Sequence, residues 1–272
     1  ALLTDEGGWT MQRFRMPLIA AVVVALVGGM GVAATGQAQS DEEQEPGSVL
    51  FVGNSFTYFN GGVEKQVAAL AAAESPAREL VVTPSTVPGA TLKRQYQLSE
   101  PDSSSGALDD IRAANHDVVV LQGDIPENYE HDVALFLEYA RLFDEEVRET
   151  GAEAVFFMTW PYARLDWIDL DGIVDAHRHI EAETGAKVAP VGVAMDRALA
   201  ERPELAMLGP DAEHESPAGT YLAAATIYAT LFDRSPEGLD FVADNVASDD
   251  AAFLQRVAWE TVREWNEDVS AN

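Results

Sequence analysis

Apolar and polar residues alternate in blocks along this chain, and the blocks come in two periods. Residues 49–52 (Val-Leu-Phe-Val) form a short, wholly apolar run closed by Gly53. A run of this length ended by glycine predicts a buried strand. Residues 62–73 follow with Val63, Val67, Leu70 and Ala71 at helical spacing. The pattern then repeats. Strands are predicted at 80–82, 117–121, 154–158 and 187–191. Helices are predicted at 108–114, 131–150, 171–184, 193–201 and 218–232, with an amphipathic helix at the end carrying Leu254, Ala258, Val262 and Trp265. Gly151 and Gly185 stop two of the helices, while Ser216 and Pro217 read as the cap and first residue of another. Residues 87–92 are expected to turn into a polar stretch.

Five short apolar runs alternating with helices predict an α/β fold. A parallel sheet would carry helices on both faces, as a three-layer α/β/α sandwich. There is no internal repeat and no sign of a second domain. The 272 residues suit one such domain plus an N-terminal extra.

That extra has its own pattern. Ten residues precede Met11; Arg13 and Arg15 follow it. An apolar run over 17–34 is broken by Gly28, Gly29 and Gly31, and ends near Gly36-Gln37-Ala38. This has the form of a secretory signal peptide, with a retained membrane anchor as the rival reading. The expected organisation is therefore an extension and signal over 1–38, a disordered acidic leader over 39–47 and a folded domain over 48–272. Export, to a secreted or periplasmic location and without lasting membrane association, is the implied destination.

Composition narrows the chemistry. Cysteine is absent, which excludes disulfides, thiolate metal sites and a cysteine nucleophile. Acidic residues number 46 against 17 basic ones, a net charge of −29. Such a surface repels nucleic acid and anionic lipid. With only Lys65, Lys93 and Lys187 as lysines, it suggests a halophilic protein whose self-repulsion salt screens.

Two stretches carry candidate chemistry. The first is Gly53-Asn54-Ser55, at the mouth of the first strand, where open α/β sheets place their ligands. A serine there is exposed beside backbone N–H groups, as a nucleophile needs to be; the same residues also suit a turn that caps a helix. The second stretch surrounds His214. Of the other histidines, His116 precedes a strand and His131 opens a helix, while His177 and His179 lie on a charged helix with Arg178 and Glu181; all four read as surface residues. His214 lies in a loop with Asp211 three residues before it. Asp-x-x-His in one turn can set a carboxylate against Nδ1 and leave Nε2 facing outward, the orienting half of a Ser-His-Asp relay. A solvated capping pair is the alternative. A metal site of Asp211, His214 and Glu215 is weaker, because acidic residues are abundant throughout.

Gly53-Asn54-Ser55-Phe56-Thr57 resembles the first block of the SGNH (GDSL-like) hydrolase superfamily, in a Gly-Asn-Ser-Phe-Thr variant. Pro88-Gly89-Ala90-Thr91-Leu92 resembles its second block and Val119-Val120-Leu121-Gln122 its third. Asp211-x-x-His214 with Ser216, Gly219 and Tyr221-Leu222 resembles its last, and Thr159-Trp160 matches a recurring strand end. The resemblance runs over residues 48–232. It implies a flavodoxin-like SGNH fold and a carboxylic-ester hydrolase that needs neither metal nor organic cofactor. Ser55 would be nucleophile, His214 base and Asp211 its orienter. The N–H groups of Ser55 and Gly89 would line an oxyanion hole. The third block departs from the family's Gly-x-Asn, so Gln122 is expected to supply the side-chain donor, with Asp124 the other residue near that place. Asn54 and Trp160 are expected at the substrate, and Tyr58, Phe59, Tyr162 and Trp167 could line the same cleft. The implied substrate is a short acyl ester, acetyl first, on a small molecule or carbohydrate. O-acyl transfer to a glycan, or a non-catalytic carbohydrate-binding surface protein, are the alternatives.

Overall fold

The structure is a computed structural model that describes residues 45–99, 106–113 and 115–271, with side chains to 268. The signal-peptide expectation lies outside the described residues. Among them, no helix is long and apolar enough to cross a membrane.

The first strand, β1 (Ser48–Gly53), is buried at every position after Ser48. It is followed by one short turn of helix, α1 (Ser55–Tyr58), a tight 3₁₀ turn and helix α2 (Val63–Ala72). Then come β2 (Val81–Thr86), α3 (Leu92–Leu98), α4 (Ala107–Arg112), β3 (Val118–Gly123) and α5 (Val133–Glu149). The chain continues through β4 (Glu153–Met158), α6 (Leu170–Thr184), β5 (Lys187–Ala189) and α7 (Val191–Glu201). It closes with α8 (Pro217–Phe232) and α9 (Ser248–Ala271).

The strands form one five-stranded sheet in the order β2-β1-β3-β4-β5, and every pairing is parallel. The expected α/β/α sandwich is therefore present, with the flavodoxin-like order. Side chains alternate across the sheet, so β1 feeds two cores. Val49 and Phe51 join α2, α7, α8 and α9 in one layer. Leu50 and Val52 join α4, α5 and α6 in the other. Helix α8 is apolar all round and is buried along its length from Ala218 to Phe232. That is the state such a helix requires. It packs on α9, α2 and α7.

Four expectations need correction. Strand β2 runs to Thr86 rather than stopping at Val82; Pro84 is tolerated because β2 is an edge strand pairing only with β1. Residues 92–98, expected to be a polar stretch, form α3, whose N-cap Thr91 accepts from the Arg94 N–H. The leader does not stay apart up to residue 47. Glu45 ion-pairs with Arg78 and Arg234, and the Gly47 N–H donates to Asp117. His177 is no surface residue: it is fully buried, with Nδ1 on the Ile173 carbonyl, and burial lowers its pKa to about 4.

The order of the sheet matters for function because it reverses between β1 and β3. At that switch point the connections leave in opposite directions and open a crevice beyond the strand ends. Ser55 follows β1 and Asp124 follows β3, so both stand at its edge.

Candidate active site

The crevice begins with a tightly fixed turn. Gly53 has no room for a side chain: a Cβ there would lie 2.3 Å from the Thr57 Oγ1 and 2.6 Å from the Gln122 Oε1. Next, Asn54 caps α1, its Oδ1 accepting from the Phe56 N–H at 3.0 Å. Its own N–H donates to the Gln122 Oε1 at 3.0 Å, and its Nδ2 donates to the Asp124 Oδ2 at 2.6 Å and the Ala90 carbonyl at 3.3 Å. The last contact ties the turn that holds Gly89 (φ +62°) to the serine turn. Ser55 is thus the first residue of a helix held from behind on several sides. Its N–H is one that a helix leaves without an internal partner.

Asp211 and His214 arrive from the other end of the chain. The loop between α7 and α8 is pinched by Gly209 N–H to His214 carbonyl at 2.7 Å and Ser216 N–H to Met207 carbonyl at 2.9 Å. Ala212 takes a left-handed conformation inside it. Asp211 Oδ1 accepts from the N–H groups of Glu213 and His214, which leaves Oδ2 for the imidazole. The resulting distances are 2.8 Å from His214 Nδ1 to Asp211 Oδ2 and 2.9 Å from His214 Nε2 to Ser55 Oγ, across 159 positions of sequence. A carboxylate against Nδ1 puts the neutral ring's proton there and leaves Nε2 to accept from the serine hydroxyl. The His214 hydrogen bond in turn holds the Asp211 carboxyl below its ordinary pKa.

Other residues hold this loop in place. The Trp160 indole N–H donates to the Glu213 carbonyl at 2.9 Å. The Asn60 Nδ2 donates to the Glu215 carbonyl and the Thr220 Oγ1, each at 2.8 Å. The His214 ring stacks on Phe59 at 4.1 Å and 15°, with Phe56 edge-on at 5.4 Å. Arg164 bridges two walls, donating to both carboxylate oxygens of Glu213 and to Glu127 Oε2. Glu127 also accepts from Tyr129 and Tyr162. A cleft of about 510 Å³ opens beside His214, lined by Phe59, Asn60, Leu208, Pro210 and Asp211.

Three expected substrate or oxyanion contacts have other work. Gln122 is buried; its Nε2 donates to the Asn54 Oδ1 at 2.8 Å, and its Oε1 accepts from Asn54 and from the Thr57 hydroxyl. It braces the serine turn instead of offering a donor to the crevice. Asn54 is itself buried with its whole amide in use, and Trp160 is buried as a prop for the His214 loop. Tyr162 is buried as well, whereas Tyr58 and Phe59 are exposed at 39% and 37%. Among the described residues, no group of three or more His, Cys, Asp or Glu side chains could hold a metal ion.

Sequence reasoning overlooked Glu127, Arg164 and Asn60. Arg164 carried a faint signal, as a basic residue in a loop that leaves a strand end, within a chain poor in bases. Glu127 carried none among so many acids.

Comparison with solved structures agrees with this architecture. A DUF4886 family protein from Bacteroides uniformis superposes with a TM-score of 0.63 at 18% identity, covering 79% of this chain and 94% of that one. A protein from Slackia heliotrinireducens described as an SGNH hydrolase gives 0.53 at 27% identity, covering 68% and 98%. A mutant of an acetyl-xylooligosaccharide esterase from Geobacillus gives 0.54 at 17% identity, covering 69% and 94%. No protein-family model and no curated protein matches the chain. The fold, together with the likeness to the 27% identical SGNH protein, supports the SGNH (GDSL-like) hydrolase superfamily for this chain.

Proposed function

We propose that the protein is an exported serine esterase that removes short acyl groups, acetyl first, from carbohydrate or small-molecule alcohols. The observation that carries this reading is the unbroken relay from Ser55 Oγ through His214 to Asp211, at 2.9 and 2.8 Å. In this reading Ser55 Oγ attacks the ester carbonyl carbon while its proton passes to His214 Nε2. The Asp211 carboxylate stabilises the imidazolium that forms. The carbonyl oxygen becomes an oxyanion that accepts from the Ser55 and Gly89 N–H groups. Collapse expels the alcohol, which takes the proton from His214. Water then attacks the acyl-enzyme with His214 as base, releasing the acid and restoring the serine. With Gln122 committed elsewhere, the hole has two backbone donors and no side-chain donor from that position. One donor is worth about 10²–10³ in rate, so a modest kcat is expected.

The acetyl and carbohydrate preference comes by analogy with the Geobacillus neighbour, described as acting on acetyl-xylooligosaccharides. Export rests on the signal-like pattern over 1–38 and on a surface that suits no nucleic acid.

The test is hydrolysis of p-nitrophenyl acetate and of acetylated xylan by residues 39–272 in molar salt, beside Ser55→Ala and His214→Ala. Each variant should lose at least about 10³-fold in kcat. Wild type no faster than an equally folded Ser55→Ala chain would end the esterase reading in favour of a binding protein. Acetyl appearing on an added glycan instead of in free acid would turn it into an acyltransferase.

A further inference from the structure

Behind the serine turn lies a chain of three oxygen-bearing side chains with too few protons. The Tyr162 hydroxyl sits 3.2 Å from Asp124 Oδ1 and 3.1 Å from Glu127 Oε2. A phenol has one O–H and can donate to one of them. If both carboxyls were ionised, the other contact would set lone pair against lone pair in a buried place, at the full cost of an unmet polar group. One carboxyl must therefore return a proton to the Tyr162 oxygen.

The surroundings say which. Glu127 faces the Arg164 guanidinium at 2.6 Å and accepts from the Tyr129 hydroxyl at 2.6 Å, so the negative charge belongs there. Among the described residues, Asp124 has no cation against it. Its Oδ2 accepts from the neutral Asn54 amide, and its Oδ1 accepts weakly from the Glu127 N–H at 3.3 Å. Across the small cavity beside Asp124, the one base is Lys93, which is paired to Glu130. His177, beneath the neighbouring Gly123, is neutral.

We infer that Asp124 is held as a neutral carboxylic acid, donating its proton to Tyr162, and that in this form it is the positioning residue for the Asn54–Ser55 turn. The proton count then closes. Asp124 donates to the Tyr162 oxygen, Tyr162 donates to Glu127, and Asn54 donates to the remaining Asp124 oxygen. Burial, with the Glu127 charge adding to it, pushes the Asp124 carboxyl up to about 7, in keeping with this assignment. Above that pH two carboxylates confront a single phenol proton. Asp124 is driven away from Glu127 and carries Asn54, and with it Ser55, out of line with His214.

The inference rests on the esterase reading for its kinetic consequence, but not for the protonation state. Asp124→Asn has the same shape, accepts from Asn54 through Oδ1 and donates to Tyr162 through Nδ2. It copies the neutral acid and cannot ionise. The ratio of kcat at pH 8.5 to kcat at pH 6 should rise several-fold over wild type, with KM little moved. Asp124→Leu, which keeps the bulk without the hydrogen bonds, should lose kcat at both pH values. Loss of kcat in Asp124→Asn at both pH values, with the fold intact, would overturn the inference, because the ionised acid would then be the working form. An infrared difference spectrum of wild type minus Asp124→Asn settles the protonation independently. A protonated-carboxyl band at pH 6 that fades by pH 8.5 is expected, and its absence at pH 6 overturns the inference. If the chain cleaves no ester yet shows the band, the esterase reading fails while the assignment of the Asp124 proton is supported.

Discussion

Asn54 shows how a single buried amide can organise a site it never touches chemically. Both its amide hydrogen-bonding ends are in use, and three segments of chain meet through it: its own turn, the turn at Ala90, and the end of β3 at Gln122 and Asp124. The motif that contains it was legible; its wiring was not. Nothing in the spacing of Gln122 tells whether its amide faces the crevice or the protein, so the expected oxyanion donor turned out to be a brace. His177 was recoverable. Ile173, Ala176, His177 and Ile180 fall on one helical face, and that periodicity should have outweighed the charged neighbours Arg178 and Glu181. Glu215 makes the testable case at this scale. It is buried with no cation against it among the described residues, and burial pushes its pKa from 4.5 to about 8. Between those values the native state keeps a proton that the unfolded chain releases, so its contribution to stability falls as pH rises. Glu215→Gln should match wild type near pH 4.5, then gain in Tm up to about pH 8 and hold the gain beyond it. About 1 kcal/mol moves Tm by about 2–4 °C in a domain of this size, so melting curves will resolve the gap. A gap that does not change with pH would show that Glu215 keeps its ordinary ionisation.

At the scale of elements, the start of α8 sets the position of His214. The Ser216 hydroxyl caps the helix through the Gly219 N–H, and a Cβ on Gly219 would lie 2.2 Å from the Met207 carbonyl. That carbonyl also accepts from Ser216 and so closes the His214 loop. Gly219→Ala should force helix and loop apart, costing about 1–3 kcal/mol of stability and, in the esterase reading, lowering kcat/KM as Nε2 moves off Ser55. Unchanged denaturation and kinetics would mean that the loop does not depend on this contact. The Ser216-Pro217 cap made α8 readable in advance, because cap chemistry is local. Helix α3 was not readable. Its buried residues include only Leu92 and Gln95, and its other anchor, Tyr96, packs on Tyr139 and Phe143 of a helix far along the chain. Strand β2 was drawn short because proline and polar residues fill its second half, a composition an edge strand permits.

At the scale of the molecule, charge dominates. Arginines are mostly spent in ion pairs, with Arg197 and Arg256 sharing Glu201 and Glu260, and Arg78 and Arg234 sharing Glu45 and Glu74. The 17 bases cannot neutralise 46 acids, so the surface repels itself. The urea midpoint should therefore rise clearly between low and molar NaCl, as screening shortens the reach of that repulsion to about 3 Å. A midpoint indifferent to salt would remove the halophilic interpretation. The five alternating runs made the α/β class legible from periodicity alone. The strand order was carried only by the family resemblance, since no local pattern records which strands pair.

The relay spans 159 positions, from the end of the first strand to the loop before α8. A growing or broken chain that carries the serine but stops short of that loop has a hydroxyl with no acceptor. In the esterase reading, activity therefore reports closure of the whole sandwich and not the folding of either end. Two separately made fragments, one ending in the 101–105 segment and one beginning after it, would each be silent, and their turnover on mixing would measure how well the central strands β1 and β3 find one another.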